Sequence, residues 1–124
     1  MLPETYSRAD AVANVQATAL LVSAFALGRA DLLAQAMQDR LHQPYRAAAC
    51  PLLGRLLPMS GSAGVLGVAL SGAGPSVLLL AEPEMTLARL RELAPDASGE
   101  EDFVLLEIVI AGGTVLQVLQ VTDS

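Results

Sequence analysis

Two short stretches of this 124-residue chain carry side chains equipped for chemistry. The first, DRLHQPYR (Asp39 to Arg46), holds the only histidine, one of the two tyrosines, and two of the seven Lys and Arg residues. A guanidinium is a planar fork of donors that matches a carboxylate or phosphate in bidentate fashion, so Arg46 is a candidate anion clamp. The second stretch, SGAGPS (Ser71 to Ser76), places two glycines and a proline between serines. Glycines let backbone N–H groups converge on a phosphate without Cβ clashes, and Ser71 or Ser76 can add hydroxyl donors.

Each stretch also has a plainer reading. A helix-end arginine is commonly solvated or paired with the last carbonyls of its helix. His42 on its own is more often a structural hydrogen-bonding group than a catalyst. Gly and Pro between two strands make a tight turn without any ligand. With one His and one Cys, Cys50, a zinc site is implausible. No G-x-S-x-G string and no Cys/His pair suited to a triad is present.

The elements around these residues follow from patterning. Ser7 is a good N-cap, with Asp10 three residues on, and a helix is expected from there to Leu27, stopped by Gly28. A second helix is expected over Asp31 to Leu41, ended by Pro44, with Gln43 pushed toward an extended backbone. A third is expected over about Ala47 to Met59, with limits blurred by Pro51 and Pro58. VLGVAL (Val65 to Leu70) and VLLLA (Val77 to Ala81) read as strands buried on both faces. A helix is expected over roughly Glu84 to Leu93. FVLLEIVI (Phe103 to Ile110) and TVLQVLQV (Thr114 to Val121) read as strands joined by a Gly112-Gly113 hairpin. The expected class is α+β, with helices on one face of a mostly antiparallel sheet.

Composition narrows the function. The net charge of −6 repels nucleic acid phosphates, and 3% aromatic residues without Trp leave little for base stacking. Hydrophobic residues make up 53% and charged residues 16%, well under the usual quarter. Such a chain is expected to hide surface against a second domain or a copy of itself. Ala11 to Leu27 is apolar but interrupted by Asn14, Gln16, Thr18 and Ser23. It falls short of the roughly 20 apolar residues of a membrane span, and a helix buried in protein on most sides is expected. MLPETYSRAD does not resemble a signal peptide. The lone Cys50 fits a reducing cytoplasm.

Taken together, LPETYSRADAVANVQATALLVSAFALGRADLLAQAMQDRLHQPYRAAACP followed by GVALSGAGPS resembles the C-terminal half of bacterial homoserine kinase, a member of the GHMP small-molecule kinases. The resemblance is close from Leu2 to about Ala81 and holds in pattern beyond. It implies a ferredoxin-like GHMP C-terminal domain over residues 1–124. It also implies transfer of the γ-phosphoryl of ATP, with Mg²⁺, to the hydroxyl of L-homoserine, a step toward threonine. By the same resemblance, Arg46 holds the substrate carboxylate, and His42 and Tyr45 shape the pocket. Arg40 is then a surface charge. Ser71, Gly72, Ala73, Gly74, Pro75 and Ser76 form the glycine-rich loop that closes over the site and supports the phosphate loop.

The family's ATP-binding string, P-x-x-x-G-L-G-S-S-A, and its Mg²⁺ ligand belong to an N-terminal half, and no such string occurs here. The chain alone is therefore expected to be inactive, to bind ATP and Mg²⁺ poorly, and to need that half as partner. An unpaired sheet edge, apolar surface on the first helix and self-association are expected to follow. The alternative is a non-catalytic α+β module that binds a small anion or dimerises.

Overall fold

The computed structural model describes residues 2–93, 103–109 and 117–123. Helix α1 spans Arg8–Leu27. The Ser7 hydroxyl accepts the Asp10 N–H at its start, and Gly28 at φ +63° closes it. There the Arg29 N–H returns to the Ala24 carbonyl at 2.8 Å, satisfying one of the otherwise orphaned last carbonyls.

The segment after α1 is more broken than its patterning predicts. A 3-10 turn at Ala30–Leu32 leads into α2, Leu33–Ala36, which stops well short of Leu41. Pro44 does not end that helix. It sits in the first turn of the next, α3 (Gln43–Arg46), where its missing N–H has no intrahelical partner to lose. Gln43 is helical rather than extended. The single helix expected over 47–59 is a 3-10 turn at Ala47–Ala49, then α4 at Pro51–Leu56, then a 3-10 turn at Leu57–Met59. Pro51 and Pro58 each restart the chain at a first-turn position.

Strands β1 (Val65–Leu70) and β2 (Val77–Ala81) lie where their short apolar runs placed them. Helix α5 is Leu87–Leu93, shorter at its start than expected. β3 (Phe103–Val109) and β4 (Gln117–Asp123) follow, and the Gly112-Gly113 hairpin lies outside the described residues. All pairings are antiparallel, in the order β1-β2-β4-β3, which leaves β1 at an edge.

The architecture is α+β as expected, and helices cover both faces of the β1–β2 pair. On one face Val68, Val77, Leu79 and Ala81 pack with Leu52, Leu53 and Leu56 of α4 and Leu90 of α5. On the other, Leu80, Leu66, Ala69 and Leu78 pack with Leu21 and Ala24 of α1 and Leu33 and Met37 around α2. Burying each large aliphatic side chain in this way contributes about 1.5–3 kcal/mol.

Helix α1 is not enclosed on most sides. Ala24 is its one buried residue, while Val15 and Val22 are 70% and 66% exposed. Its length and composition would suffice to cross a membrane. It nevertheless packs against α2 along one narrow stripe, because the flank of the β1–β2 pair offers it only one surface.

Candidate functional site

The DRLHQPYR turn is built around one carboxylate. Asp39 accepts the backbone N–H groups of Leu41 at 2.8 Å, His42 at 3.1 Å and Gln43 at 2.6 Å. Asn14 of α1 adds its Nδ2 at 2.7 Å. Asp39 thus supplies the acceptor that the first N–H groups of α3 need, the task of a helix cap. Burial pushes its carboxyl pKa up, but the bonds from Asn14 and from the Gln43, Leu41 and His42 amides outweigh it. The group is held below the ordinary carboxylate value. Arg40 points away to an exposed pairing with Asp10 at 3.7 Å, in keeping with a surface charge.

Gln43 is the buried polar residue of the described core, 6% exposed. Its Nε2 donates to the Met37 carbonyl at 3.3 Å, and its Oε1 accepts the Leu70 N–H at 2.9 Å. Leu70 is the last residue of β1 and directly precedes Ser71. Seven residues along from Gln43, the Cys50 thiol reaches the Pro75 carbonyl at 3.5 Å. The segment 43–50 is therefore tied at both ends to the hairpin that carries SGAGPS, and it wraps the end of β1. Its His42 end faces the α1 side, and its Cys50 end enters the core on the α4 side.

Arg46 lies between these two ties. Its Nε is buried and has no hydrogen-bond partner, and among the described residues the side chain forms no ion pair. A guanidinium nitrogen so placed lacks the partner that buried polar groups normally have. Tyr45 is exposed and meets Tyr6 edge-on, with ring centroids 6.0 Å apart, joining the turn to the approach to α1.

Ser71 to Ser76 form the β1–β2 hairpin loop. The Ser71 N–H donates to the Ser76 carbonyl at 2.8 Å, and the Gly74 N–H to the Ser71 carbonyl at 3.2 Å. Gly72 and Gly74 take φ of +62° and +88°, and Gly74–Pro75 is a cis peptide bond. Ser71, Gly72, Ala73 and Pro75 are exposed, and nothing lies within 4 Å of where a Gly72 Cβ would stand. The loop is a turn in its bonding, and its outer surface is open to an approaching ligand.

The structure brings Arg46 and this loop to the same end of β1 without a hydrogen bond between them. His42 is placed elsewhere, lining a groove of about 390 Å³ between α1 and the β1–β2 pair with Thr18, Leu21 and Leu78. Asp39 and Gln43, which hold the arrangement together, were not among the residues singled out from sequence. Their role depends on partners at Asn14 and Leu70, which no local spacing connects. Among the described residues, no cluster of three or more His, Cys, Asp or Glu is placed to hold a metal ion.

The antiparallel α+β domain agrees with comparison with known families. The model of the C-terminal domain of GHMP kinases matches residues 21–96, and the chain belongs to that family. Within it, the chain is 42% identical to the homoserine kinase of Deinococcus radiodurans over 120 residues, covering 94% of this chain and 39% of the relative. It is 35% identical to that of Synechococcus sp. over 124 residues, 100% of this chain and 40% of the relative. Against the homoserine kinase of Solibacter usitatus it is 51% identical over 82 residues, 66% of this chain and 27% of the relative. The chain thus spans well under half the length of these relatives. No solved structure gives a significant match.

Proposed function

We propose that the chain is the C-terminal, substrate-binding part of a homoserine kinase. In this reading Arg46 holds the carboxylate of L-homoserine, and Ser71 to Ser76 close over the transferring phosphate. The observation that carries it is the buried Arg46 Nε, without a partner among the described residues, on a segment tied to the glycine hairpin by the Gln43–Leu70 and Cys50–Pro75 contacts. ATP and Mg²⁺ are bound by the N-terminal half of the complete kinase, which works with this part in the cytoplasm. Phosphoryl transfer is mainly positioning and charge neutralisation. What this part supplies is a fixed cation for the substrate and a shaped wall for the phosphates. Tyr45 stands next to that cation in the chain, whereas His42 lines the separate groove under α1 and takes no part in this pocket.

The test is a coupled ADP-release assay with homoserine, ATP and Mg²⁺. It is run on the chain alone and on a chimaera in which it replaces the matching C-terminal part of the Deinococcus radiodurans homoserine kinase. Homoserine-dependent ADP release by the chimaera and none by the chain alone is the expected result. A folded chimaera without turnover overturns the reading.

A second reading, a non-catalytic module that self-associates, is favoured by one observation. Helix α1 exposes Val12, Val15, Val22, Phe25 and Leu27. It predicts a stable oligomer and no effect of Arg46 on any ligand.

A further inference from the structure

We propose that Gln43 is a positioning residue, setting the Arg46 turn and the glycine hairpin in one fixed relation. The inference rests on the reading of Arg46 and Ser71 to Ser76 just given. Because the Ser71 N–H pairs across the hairpin with Ser76, strand alternation turns the Leu70 N–H away from β2, toward the open edge of β1. Gln43 Oε1 takes that N–H, and Gln43 Nε2 is anchored on the Met37 carbonyl at the end of α2. One side chain therefore sets the height of the hairpin base against α3. Arg46 lies three residues on, about one helical turn away on the same side.

A buried amide is a costly way to fill this space unless both ends are matched, and here they are. An aliphatic residue of similar size would fill the volume. It would leave the Leu70 N–H and Met37 carbonyl without partners, and only the weaker Cys50–Pro75 contact would still fix the hairpin against the turn. Gln43 touches neither the carboxylate nor the phosphate in this reading, so its effect on turnover passes through Arg46 and the loop. A misplacement of about 1 Å between reacting groups is enough to cost roughly a hundredfold in rate.

Gln43→Leu removes both bonds, whereas Gln43→Glu keeps an acceptor for Leu70. In the Deinococcus chimaera, Gln43→Leu is expected to lower kcat/KM for homoserine about tenfold or more per folded molecule. Gln43→Glu, which keeps the Leu70 acceptor but cannot donate to the Met37 carbonyl, is expected to recover only part of that loss. In the 124-residue chain itself, Gln43→Leu is expected to speed amide hydrogen exchange at Leu70 and Gly74 relative to the rest of the sheet. An active chimaera whose kcat/KM per folded molecule is unchanged by Gln43→Leu overturns the proposal and leaves the kinase reading standing. A folded, inactive parent chimaera overturns the kinase reading instead. The exchange measurement then decides the coupling: unchanged protection at Leu70 and Gly74 overturns it, and faster exchange supports it.

Discussion

Asn14 of α1 donates its Nδ2 to Asp39 Oδ1 at 2.7 Å and takes the Arg40 backbone N–H on its own Oδ1 at 2.8 Å. This reciprocal pair clamps the start of the Arg46 turn to the long helix. Asp39→Ala would leave three backbone N–H groups and the Asn14 amide without their acceptor. A cost of about 1–3 kcal/mol is expected, read as a lower midpoint in urea unfolding with an unchanged slope. An unchanged midpoint would mean that solvent replaces the carboxylate at no cost.

The same carboxylate makes stability depend on acid. Its pKa is depressed on folding, so the unfolded chain binds the proton first. The stabilisation is fully present above the unfolded value, near 3.9, and is lost as pH falls through the lower folded value. Thermal unfolding followed from pH 6 down to pH 3 is expected to show a steeper fall for the parent chain than for Asp39→Asn. Parallel curves would show that the Asp39 bonds contribute nothing net.

How much of this was legible beforehand depends on the range of the interaction. Ser7 and Gly28 bound α1 through contacts within a turn, and β1 and β2 are short, continuous apolar runs. Those elements were read correctly. Leu32, Leu33, Ala36 and Met37 do share a face, which suggested a helix to Leu41. The helix stops at Ala36, and beyond it Asp39 draws the amides of Leu41, His42 and Gln43 to itself while Pro44 suits the start of the turn that follows. Arg46 was singled out as an anion clamp from its chemistry, and its substrate role came only from the family resemblance. Gln43 was read only as the residue before a proline, since its partner Leu70 lies on a strand far along the chain.

A close approach between helix and sheet gives a second stability test. A Cβ added to Gly67 would fall on the Sδ of Met37. Gly67→Ala is therefore expected to push Met37 out of the packed layer beneath α1 and α2, at about 1–3 kcal/mol. Gly67→Ala combined with Met37→Ala should cost less than the sum of the two single changes. Additive costs in the double-mutant cycle would show that Met37 repacks freely.

The exposed side of α1 separates folding from assembly. Val15 and Val22 contribute almost no buried surface to the described fold. Val15→Glu with Val22→Glu should leave the unfolding midpoint within about 0.5 kcal/mol of the parent. If copies of the chain associate through this side, the same change should turn an oligomer into a monomer in analytical ultracentrifugation. An oligomer that survives it uses another surface.

Arg46 should show function and stability pulling apart. Its buried Nε has no partner among the described residues, and burying it so costs the fold free energy. Arg46→Met retains the aliphatic stem and removes the unsatisfied donor, and the isolated chain is expected to be as stable or slightly more stable. In the chimaera the same change removes the charged hydrogen bonds to the substrate carboxylate. Such bonds contribute roughly 1.5–3 kcal/mol, so KM for homoserine should rise roughly ten- to hundredfold with KM for ATP unchanged. Arg46→Lys keeps the charge but not the planar fork and should recover only part of the loss. Equal losses in both KM values would place Arg46 in the scaffold rather than against the substrate. A loss of stability on Arg46→Met would mean that the guanidinium is held by the fold and is not reserved for a ligand.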